Sequence, residues 1–192
     1  NHIDMDDKLA FTARCLANDL PVVPAYKFTS RAEFEALHAE KTQQYGVMAV
    51  KPAKGVYASG FFQLNPEVPL FEALSEKYIA TPEMFAQAYG ALDKKPVYML
   101  MPYFSGLECT VDVACMDGLI VSAVVRTKYK DGTQMLELEH PCIELAKKFV
   151  AHFACSGIVG IQFIQDQQGE WLALEINARA SGGIGYTMAT GV

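Results

Sequence analysis

The feature that most constrains the fold is a pair of short segments, residues 157–164 and 171–177, in which apolar and polar side chains alternate. Alternation with a period of two is typical of β-strands, because successive side chains point to opposite faces of a sheet. The intervening residues 166–169, DQQG, favour a loop of two or four residues. The sequence therefore predicts an antiparallel hairpin here.

This hairpin is predicted to gather oxygen ligands on one face. The alternation divides the second segment into two sets: Leu172, Leu174 and Ile176 on one face, and Ala173, Glu175 and Asn177 on the other. Either loop places Gln162 on the face of Glu175, at roughly 5–8 Å. Amide and carboxylate oxygens suit Mg²⁺ when a substrate phosphate completes its shell, and Arg179 follows where a cation could meet that phosphate. A merely solvated polar face is the alternative interpretation.

Composition excludes several classes of protein. A chain of 192 residues with 51% hydrophobic and 20% charged residues is an ordinary globular protein of one large domain or two small lobes. No apolar run approaches the roughly 18 residues that a membrane-spanning helix needs, so no membrane partner is expected. The net charge of −6 argues against a nucleic-acid surface, which would need a basic stripe.

The cysteines and histidines predict no metal site. The five cysteines are odd in number, scattered and without CxxC spacing: Cys15, Cys109, Cys115, Cys142 and Cys155. We therefore expect reduced, structural thiols in a cytoplasmic protein. The four histidines show no metal-ligand spacing, so no zinc site is predicted: His2, His38, His140 and His152.

Helical and strand patterns are mixed along the chain. Apolar spacing and capping residues predict helices at residues 5–19, after Ser30, near 66–77, at 81–92 and from Pro141. Apolar runs predict strands at residues 21–26, 45–51, 60–64 and 96–104. Two Asp-Gly turns predict a three-stranded meander over residues 108–139. The mixture predicts an α+β fold.

Two places in this pattern are candidate anion contacts. Lys51 ends an apolar strand before Pro52, and the loop that follows contains Gly55 and Gly60, so its backbone N–H groups could cover phosphates. No P-loop or GxGxxG pattern is present, and a plain hairpin turn is the alternative. Arg126 and Lys128 share one face of the middle meander strand, where cations at a solvated edge are the ordinary interpretation.

Taken together, these segments resemble the ATP-grasp superfamily, in its carbamoyl-phosphate-synthetase-like and carboxylate–amine ligase branches. The most specific part is GIQF followed by EINARASGG, and DKLAF, VKP and KGVYASGF add to it. The resemblance implies Mg²⁺-binding and phosphate-binding positions and a phosphate-covering loop: Gln162, Glu175 and Asn177 for the metal, Arg179, Lys8 and Lys51 for phosphate, and Gly55 to Gly60 for the loop. The Gly-Val-Tyr and Gly-Phe pattern is similar to that of ATP-grasp proteins from tellurite-resistance-type gene clusters.

The segment LMPYFSGLE resembles the adenine-binding hinge of this superfamily. The resemblance implies that backbone groups of four residues recognise adenine: Met101, Pro102, Tyr103 and Phe104. It also implies that Glu108 takes the ribose hydroxyls, with Arg126 and Lys128 as further cofactor contacts. The family's hinge often begins with Glu or Gln, where this chain has Met101.

The resemblance implies an ATP-dependent ligase core. In that chemistry a small-molecule carboxylate attacks the γ-phosphate of ATP with Mg²⁺ as cofactor, and an amine or similar nucleophile then displaces phosphate from the acyl phosphate. A nucleotide-binding module that regulates without ligating, and a simple α+β interaction domain, are the alternatives.

The resemblance also implies two α+β lobes clasping the nucleotide. We expect an N-terminal lobe at residues 1–95 and a C-terminal lobe at residues 96–192. Complete members usually carry an upstream α/β domain, so the chain is expected to be an excised catalytic core.

Overall fold

The computed structural model describes residues 7–55, 59–129 and 131–191. The helices and strands among them are, in chain order, α1 (Lys8–Leu16), β1 (Tyr26–Phe28), α2 (Arg31–Tyr45), β2 (Met48–Pro52), β3 (Phe62–Leu64), α3 (Leu70–Ser75), β4 (Ile79–Ala80), α4 (Pro82–Gly90), β5 (Tyr98–Pro102), β6 (Glu108–Met116), β7 (Leu119–Lys128), β8 (Gln134–Glu137), α5 (Pro141–His152), β9 (Gly157–Gln165), β10 (Trp171–Asn177) and α6 (Ile184–Met188). The first residues of the predicted 5–19 helix, and residues 56–58 of the predicted phosphate-covering loop, lie outside this range.

The chain forms two compact α+β units. The larger unit combines Asn1–Val23 with Phe104–Val192, and the smaller unit is Pro24–Tyr103. The predicted division at residues 95 and 96 is therefore corrected at both ends. Residues before Pro24 pack with the second half of the chain, and β5 completes the sheet of the smaller unit by pairing with β1 and β2.

The sheet of the larger unit has the strand order β10-β9-β6-β7-β8, and every neighbouring pair is antiparallel. The predicted meander is confirmed as β6, β7 and β8. Helices α1 and α5 cover one face with stacked and edge-on rings: Phe11 contacts Phe149 and Phe153, and Phe149 contacts Phe163 of β9. These four rings are fully buried, and each contributes about 1.5–3 kcal/mol of transfer free energy.

Helix α1 begins at Lys8 in the described part of the chain and ends earlier than the predicted residue 19. The Asp7 carboxylate accepts hydrogen bonds from two N–H groups of the first turn, so it caps the helix. The helix stops at Leu16 because Asp19 adopts a left-handed conformation, with φ of 53°. Of the predicted strand at residues 21–26, an isolated bridge remains in which Val22 lies beside Ala173 of β10. This bridge fixes the start of the chain to the larger unit.

The smaller unit is a five-stranded sheet with the order β1-β5-β2-β3-β4, parallel between β3 and β4 and antiparallel elsewhere. Its core is aromatic: Phe28, Phe34, Phe85, Tyr89 and Tyr98. Helix α2 starts at the predicted cap, since the Ser30 hydroxyl accepts from the Glu33 N–H. Helix α3 is shorter than the predicted 66–77 because Pro69 stands at its N-cap and a turn at Asn65 precedes it.

The β9–β10 hairpin carries a β-bulge that the sequence does not predict. Residues 166–170 close it as a longer loop than predicted, with Trp171 paired to Gln165, and the register then shifts between Ala173 and Glu175. The predicted faces are therefore wrong before the bulge: Ala173 is 0% exposed and faces the core together with Ile176, while Leu172, paired with Ile164, lies on the opposite face. The extra residue at the bulge interrupts the alternation, so the residues after it occupy the faces that the sequence predicts. Glu175 therefore faces away from the core.

Among the described residues, no helix combines the length and apolarity needed to cross a bilayer.

Candidate functional site

The larger unit's sheet has a polar face on the side away from α1 and α5. Along β6 and β9, core residues such as Val111 and Ile161 alternate with polar ones. We call these polar residues and their neighbours on β7 and β10 the polar face: Glu108, Thr110, Asp112, Arg126, Lys128, Gln162, Glu175 and Asn177. These side chains come from four different strands, and they share one face because the four strands lie side by side in the sheet.

The predicted metal ligands meet on this face. Glu175 of β10 pairs directly across from Gln162 of β9, as the sequence predicts. Asn177 donates a hydrogen bond from Nδ2 to Oε1 of Glu175 at 3.1 Å, and Nζ of Lys8 lies 3.9 Å from Oε2 of Glu175. The set of carboxylate and amide oxygens fits Mg²⁺ chemically, because hard oxygen donors are its preferred ligands. Lys8 adds a cation to the same place.

Glu108 and Lys128 form an ion pair at the end of β6 and β7. Lys128 donates from Nζ to Oε1 of Glu108 at 2.5 Å, and both side chains are more than one-third exposed. A pair this exposed contributes little to stability, about 0.2–1 kcal/mol. Its two members can therefore exchange partners at low cost, which a ligand-binding role for Glu108 requires.

Arg126 is buried in a network instead of lying at a solvated edge. It donates from Nε to Oδ2 of Asp112 at 2.7 Å, from Nη1 to Oε1 of Gln134 at 2.9 Å and from Nη2 to Oγ of Ser181 at 2.7 Å. The hydroxyls of Ser181 and Thr187 also donate to Asp112. The guanidinium is thus directed into the protein, and its interactions position the segment after β10.

That segment depends on a glycine. A Cβ at Gly183 would lie 2.1 Å from Nη1 of Arg126, so a side chain there would collide with the network. Upstream, Arg179 is exposed and donates to the carbonyl of Ala180 at 3.2 Å. The segment is therefore anchored at Ser181 and Thr187, while the predicted phosphate-binding guanidinium remains at the surface.

In the smaller unit, Lys51 lies near the end of β2, opposite Met99 of β5, and is half-buried. The loop after it returns close to the strand end: Gly60 has a φ of +74°, and a Cβ there would lie 2.8 Å from Cγ of Pro52. Gly60 is required both for its left-handed backbone and for this close approach. Gly55 lies at the other end of the same loop.

The predicted hinge is the point where the chain passes from the smaller unit to the larger one. Met101 and Pro102 are buried in β5, and Tyr103 and Phe104 are half-buried on either side of the unit boundary. The Tyr103 N–H donates to the carbonyl of Val47 at 2.9 Å. Adenine recognition by this backbone would therefore have to use other N–H groups of the hinge.

Four residues of the site were not singled out from the sequence: Thr110, Asp112, Gln134 and Thr187. The signal for the first two is the alternation within ECTVDVAC, where residues 108, 110 and 112 are polar and the residues between them are apolar. Gln134 and Thr187 carry no such signal, because their roles depend on hydrogen bonds with Arg126 and with Asp112, the latter from 75 residues away.

Comparison with known proteins gives a family match and structural neighbours. The family described as ATP-grasp in the biosynthetic pathway with Ter operon matches residues 94–192, just over half of the chain. No curated protein matches the chain significantly. The family description fits the resemblance to ATP-grasp proteins of tellurite-resistance-type clusters, although the residues that suggested it precede the matched range.

Solved structures share the fold at low identity. N5-carboxyaminoimidazole synthase from Aspergillus clavatus, in complex with ADP and a ribonucleotide, has a TM-score of 0.69 at 17% identity over 98% of this chain and 48% of that chain. D-alanyl-alanine synthetase A from Vibrio cholerae has a TM-score of 0.65 at 14% identity over 91% and 56%. The ATP-grasp ligase PsnB with its minimal precursor has a TM-score of 0.61 at 17% identity over 92% and 53%.

This chain spans about half the length of these structures. The predicted α+β ATP-grasp fold is confirmed by them and by the two mixed units. With the family match over residues 94–192, it follows that the chain belongs to the ATP-grasp family.

Proposed function

We propose that the chain is the catalytic core of an ATP-dependent ligase, which binds Mg-ATP and activates a carboxylate as an acyl phosphate for attack by an amine. The observation that carries this proposal is the convergence of Glu175, Gln162, Asn177 and Lys8 on the polar face. Membership of the ATP-grasp family supports it, as does the description of several structural neighbours as ligases or synthetases.

The site must first let two anions, the substrate carboxylate and the γ-phosphate of ATP, approach each other. Glu175, Asn177 and Gln162 would hold Mg²⁺, which would supply charge neutralisation to the phosphates of ATP. Lys8 and Arg179 would add fixed positive charge, and Lys51 is a further phosphate contact proposed from the resemblance. Catalysis of phosphoryl transfer depends mainly on such positioning and electrostatic stabilisation, so no covalent nucleophile is required.

In the absence of nucleotide, Lys8 also stabilises the Glu175 carboxylate. Its ammonium group lies 3.9 Å from the Glu175 carboxylate, and both side chains are mostly buried. A half-buried carboxylate is costly without a partner, and Lys8 offsets that cost. We expect Lys8 to turn towards the phosphates when the metal ion takes its place beside Glu175.

The substrates are proposed by class. A small-molecule carboxylate and an amine acceptor fit the ligase chemistry, and an upstream α/β domain of the same protein would help to bind them. PsnB is described in complex with a precursor peptide, so a peptide carboxylate is a second candidate class for the activated substrate. We propose a cytoplasmic location, since ATP is available there and the cysteines are free thiols.

Calorimetric titration with a non-hydrolysable ATP analogue, with and without Mg²⁺, tests the proposal. We expect Mg²⁺-dependent binding in the wild type and its loss in Glu175→Gln, because the amide removes the charged metal ligand and keeps the side-chain shape. Glu144→Gln, an exposed position on α5, is the matched control and should bind like the wild type. Unchanged binding in Glu175→Gln would remove the proposed metal site.

A measurement of phosphate release distinguishes a ligase from the alternative, a nucleotide-binding module that regulates without ligating. A full-length protein that binds Mg-ATP and releases phosphate only with a carboxylate present is a ligase. One that binds nucleotide in the same Mg²⁺-dependent way but releases no phosphate with any carboxylate and amine is a regulatory module.

A further inference from the structure

A second cluster of ligand-forming side chains lies on the core side of the larger unit's sheet. Cys109 of β6 and Cys142 in the first turn of α5 have their Sγ atoms 3.5 Å apart, although 33 residues separate them in sequence. His140, the N-cap residue of α5, completes the group, and one ligand atom from each of the three lies within 4.8 Å of the others.

We propose that Cys109, His140 and Cys142 form a binding site for a thiophilic divalent cation of the zinc type. Zinc binds sulfur at about 2.3 Å and imidazole nitrogen at about 2.0–2.1 Å, so tetrahedral ligand atoms lie about 3.3–3.8 Å from one another. The cluster approaches this spacing without a cation. Three protein ligands leave the fourth tetrahedral position to water or another ligand, and the two thiols that would bind the cation are fully buried.

Binding of a cation to this cluster must displace the protons of its thiols. The Cys109 thiol donates its proton to Sγ of Cys142, and this hydrogen bond, together with burial and the nearby carboxylates of Glu108 and Glu137, raises the pKa of Cys109. A cation that binds both sulfurs displaces two protons, one from each thiol, so its affinity increases with pH. The same carboxylates that disfavour a bare thiolate favour a positive ion.

His140 must give up one contact to bind. Its Nδ1 atom accepts a hydrogen bond from the N–H of Cys142 at 3.1 Å, and Trp171 packs edge-on against the ring at 5.2 Å between centroids. One neutral hydrogen bond is small beside the free energy of a zinc–thiolate site, so this exchange does not prevent binding. Because His140 is half-buried while both thiols are closed off, it lies on the side from which a cation would enter.

The test is the metal content of tag-free full-length protein expressed with added zinc sulfate, measured by mass spectrometry and repeated with Co²⁺ to observe thiolate-to-cobalt absorption. We expect about one metal ion per chain in the wild type. Cys109→Ser and Cys142→Ser should lose it. His140→Asn should weaken binding at least about tenfold while keeping the helix cap, because Asn is a good N-cap residue. Cys15→Ser, a buried cysteine of the same core, should bind like the wild type.

His140→Asn keeps the test decisive if a buried cysteine substitution fails to fold. Wild-type protein without zinc and without the cobalt–thiolate signal would overturn the proposal, and so would metal that remains in every cluster variant. A Cys109–Cys142 disulfide in metal-free protein would also overturn it and would indicate a redox pair.

Discussion

Asp112 joins three parts of the larger unit through one carboxylate. It accepts hydrogen bonds from Arg126 of β7, Ser181 of the following segment and Thr187 of α6. Burial of an ion pair costs desolvation energy that its Coulomb attraction repays only when other hydrogen bonds complete the network. Here the hydroxyls of Ser181 and Thr187 complete the network by donating to Asp112. The network therefore holds the segment that follows Glu175 and Asn177 in place.

Asp112→Asn is expected to lower the free energy of unfolding by about 3–5 kcal/mol, because it leaves the Arg126 guanidinium buried without its counter-charge. Urea denaturation measures the loss. Glu35→Gln is the matched control, since it makes the same carboxylate-to-amide change in an exposed pair with Arg31 and should cost less than about 1 kcal/mol. Equal, small losses in both variants would show that the network is not what holds the segment.

The residue-scale predictions from sequence succeed where a strand period determines the outcome. The alternation correctly places Arg126 and Lys128 on one face, and Gln162 on the same face as Glu175. The sequence cannot show that Arg126 is buried, because that depends on Asp112, Gln134 and a segment from elsewhere in the chain. Local periodicity reports which face a residue occupies and carries no information about what covers that face.

At the scale of elements, the short segment from Ser181 to helix α6 is anchored by packing and not by its own helical stability. Gly183→Ala should destabilise it, because the added methyl group would displace an Arg126 guanidinium that three hydrogen bonds hold in place. Overpacking of this kind costs about 1–3 kcal/mol. Nucleotide affinity should fall as well, since Arg179 belongs to the same segment.

Gly182→Ala is the control for this change. A Cβ at Gly182 meets no atom within 4 Å, and its backbone is not left-handed, so stability and nucleotide affinity should stay near those of the wild type. Urea denaturation measures the stability of the two variants, and calorimetric titration measures their nucleotide affinity. A Gly183→Ala protein as stable as Gly182→Ala would contradict the proposed tight contact with Arg126.

The sequence predicts β9 and β10 well and their connection badly. Both strands, and the facing pair of Gln162 and Glu175, follow from a period of two. The longer loop and the bulge do not, since they depend on the packing of Ala173 against a core that α1 and α5 also form, which is a contact between distant parts of the chain. The two errors compensate, because a longer loop and one extra residue restore the predicted pairing.

At the scale of the whole molecule, the sequence suggests a division at one point, and the chain instead crosses between the units twice. Helix α1 carries its own cap and apolar face, so its existence is predictable. Its destination is not, because Phe11 contacts Phe149 and Phe153, more than a hundred residues later. Strand pairing and helix docking over such separations leave no local pattern.

Core packing also determines how the whole larger unit responds to pH. Burial raises the pKa of the Cys15 thiol from 9.0 to about 12, and that of Cys155 from 9.0 to about 11. The unfolded chain therefore releases these protons at lower pH than the folded protein does. The stabilising effect is fully present below pH 9.0 and is lost progressively above it, so the urea midpoint should fall as pH rises through this range.

Iodoacetamide labelling provides the second measurement for these thiols. At about pH 8, Cys15 and Cys155 should react only at the rate of global unfolding, because thiolates are the reactive form and these thiols remain protonated and buried. A Cys15→Ala, Cys155→Ala double variant should show a smaller fall in midpoint at alkaline pH. Rapid labelling of the native wild type would contradict this account of the core.

The path of the chain between the two units has a consequence for biosynthesis. Residues 24–103 leave the ribosome as an uninterrupted stretch with every strand of their own sheet, so the smaller unit can form its core while synthesis continues. Helix α1 and Val22 must wait for their partners in α5 and β10, which are synthesised more than a hundred residues later. During that interval Phe11 and Cys15 have no core to enter, so we expect the segment around α1 to need more protection from aggregation than residues 24–103.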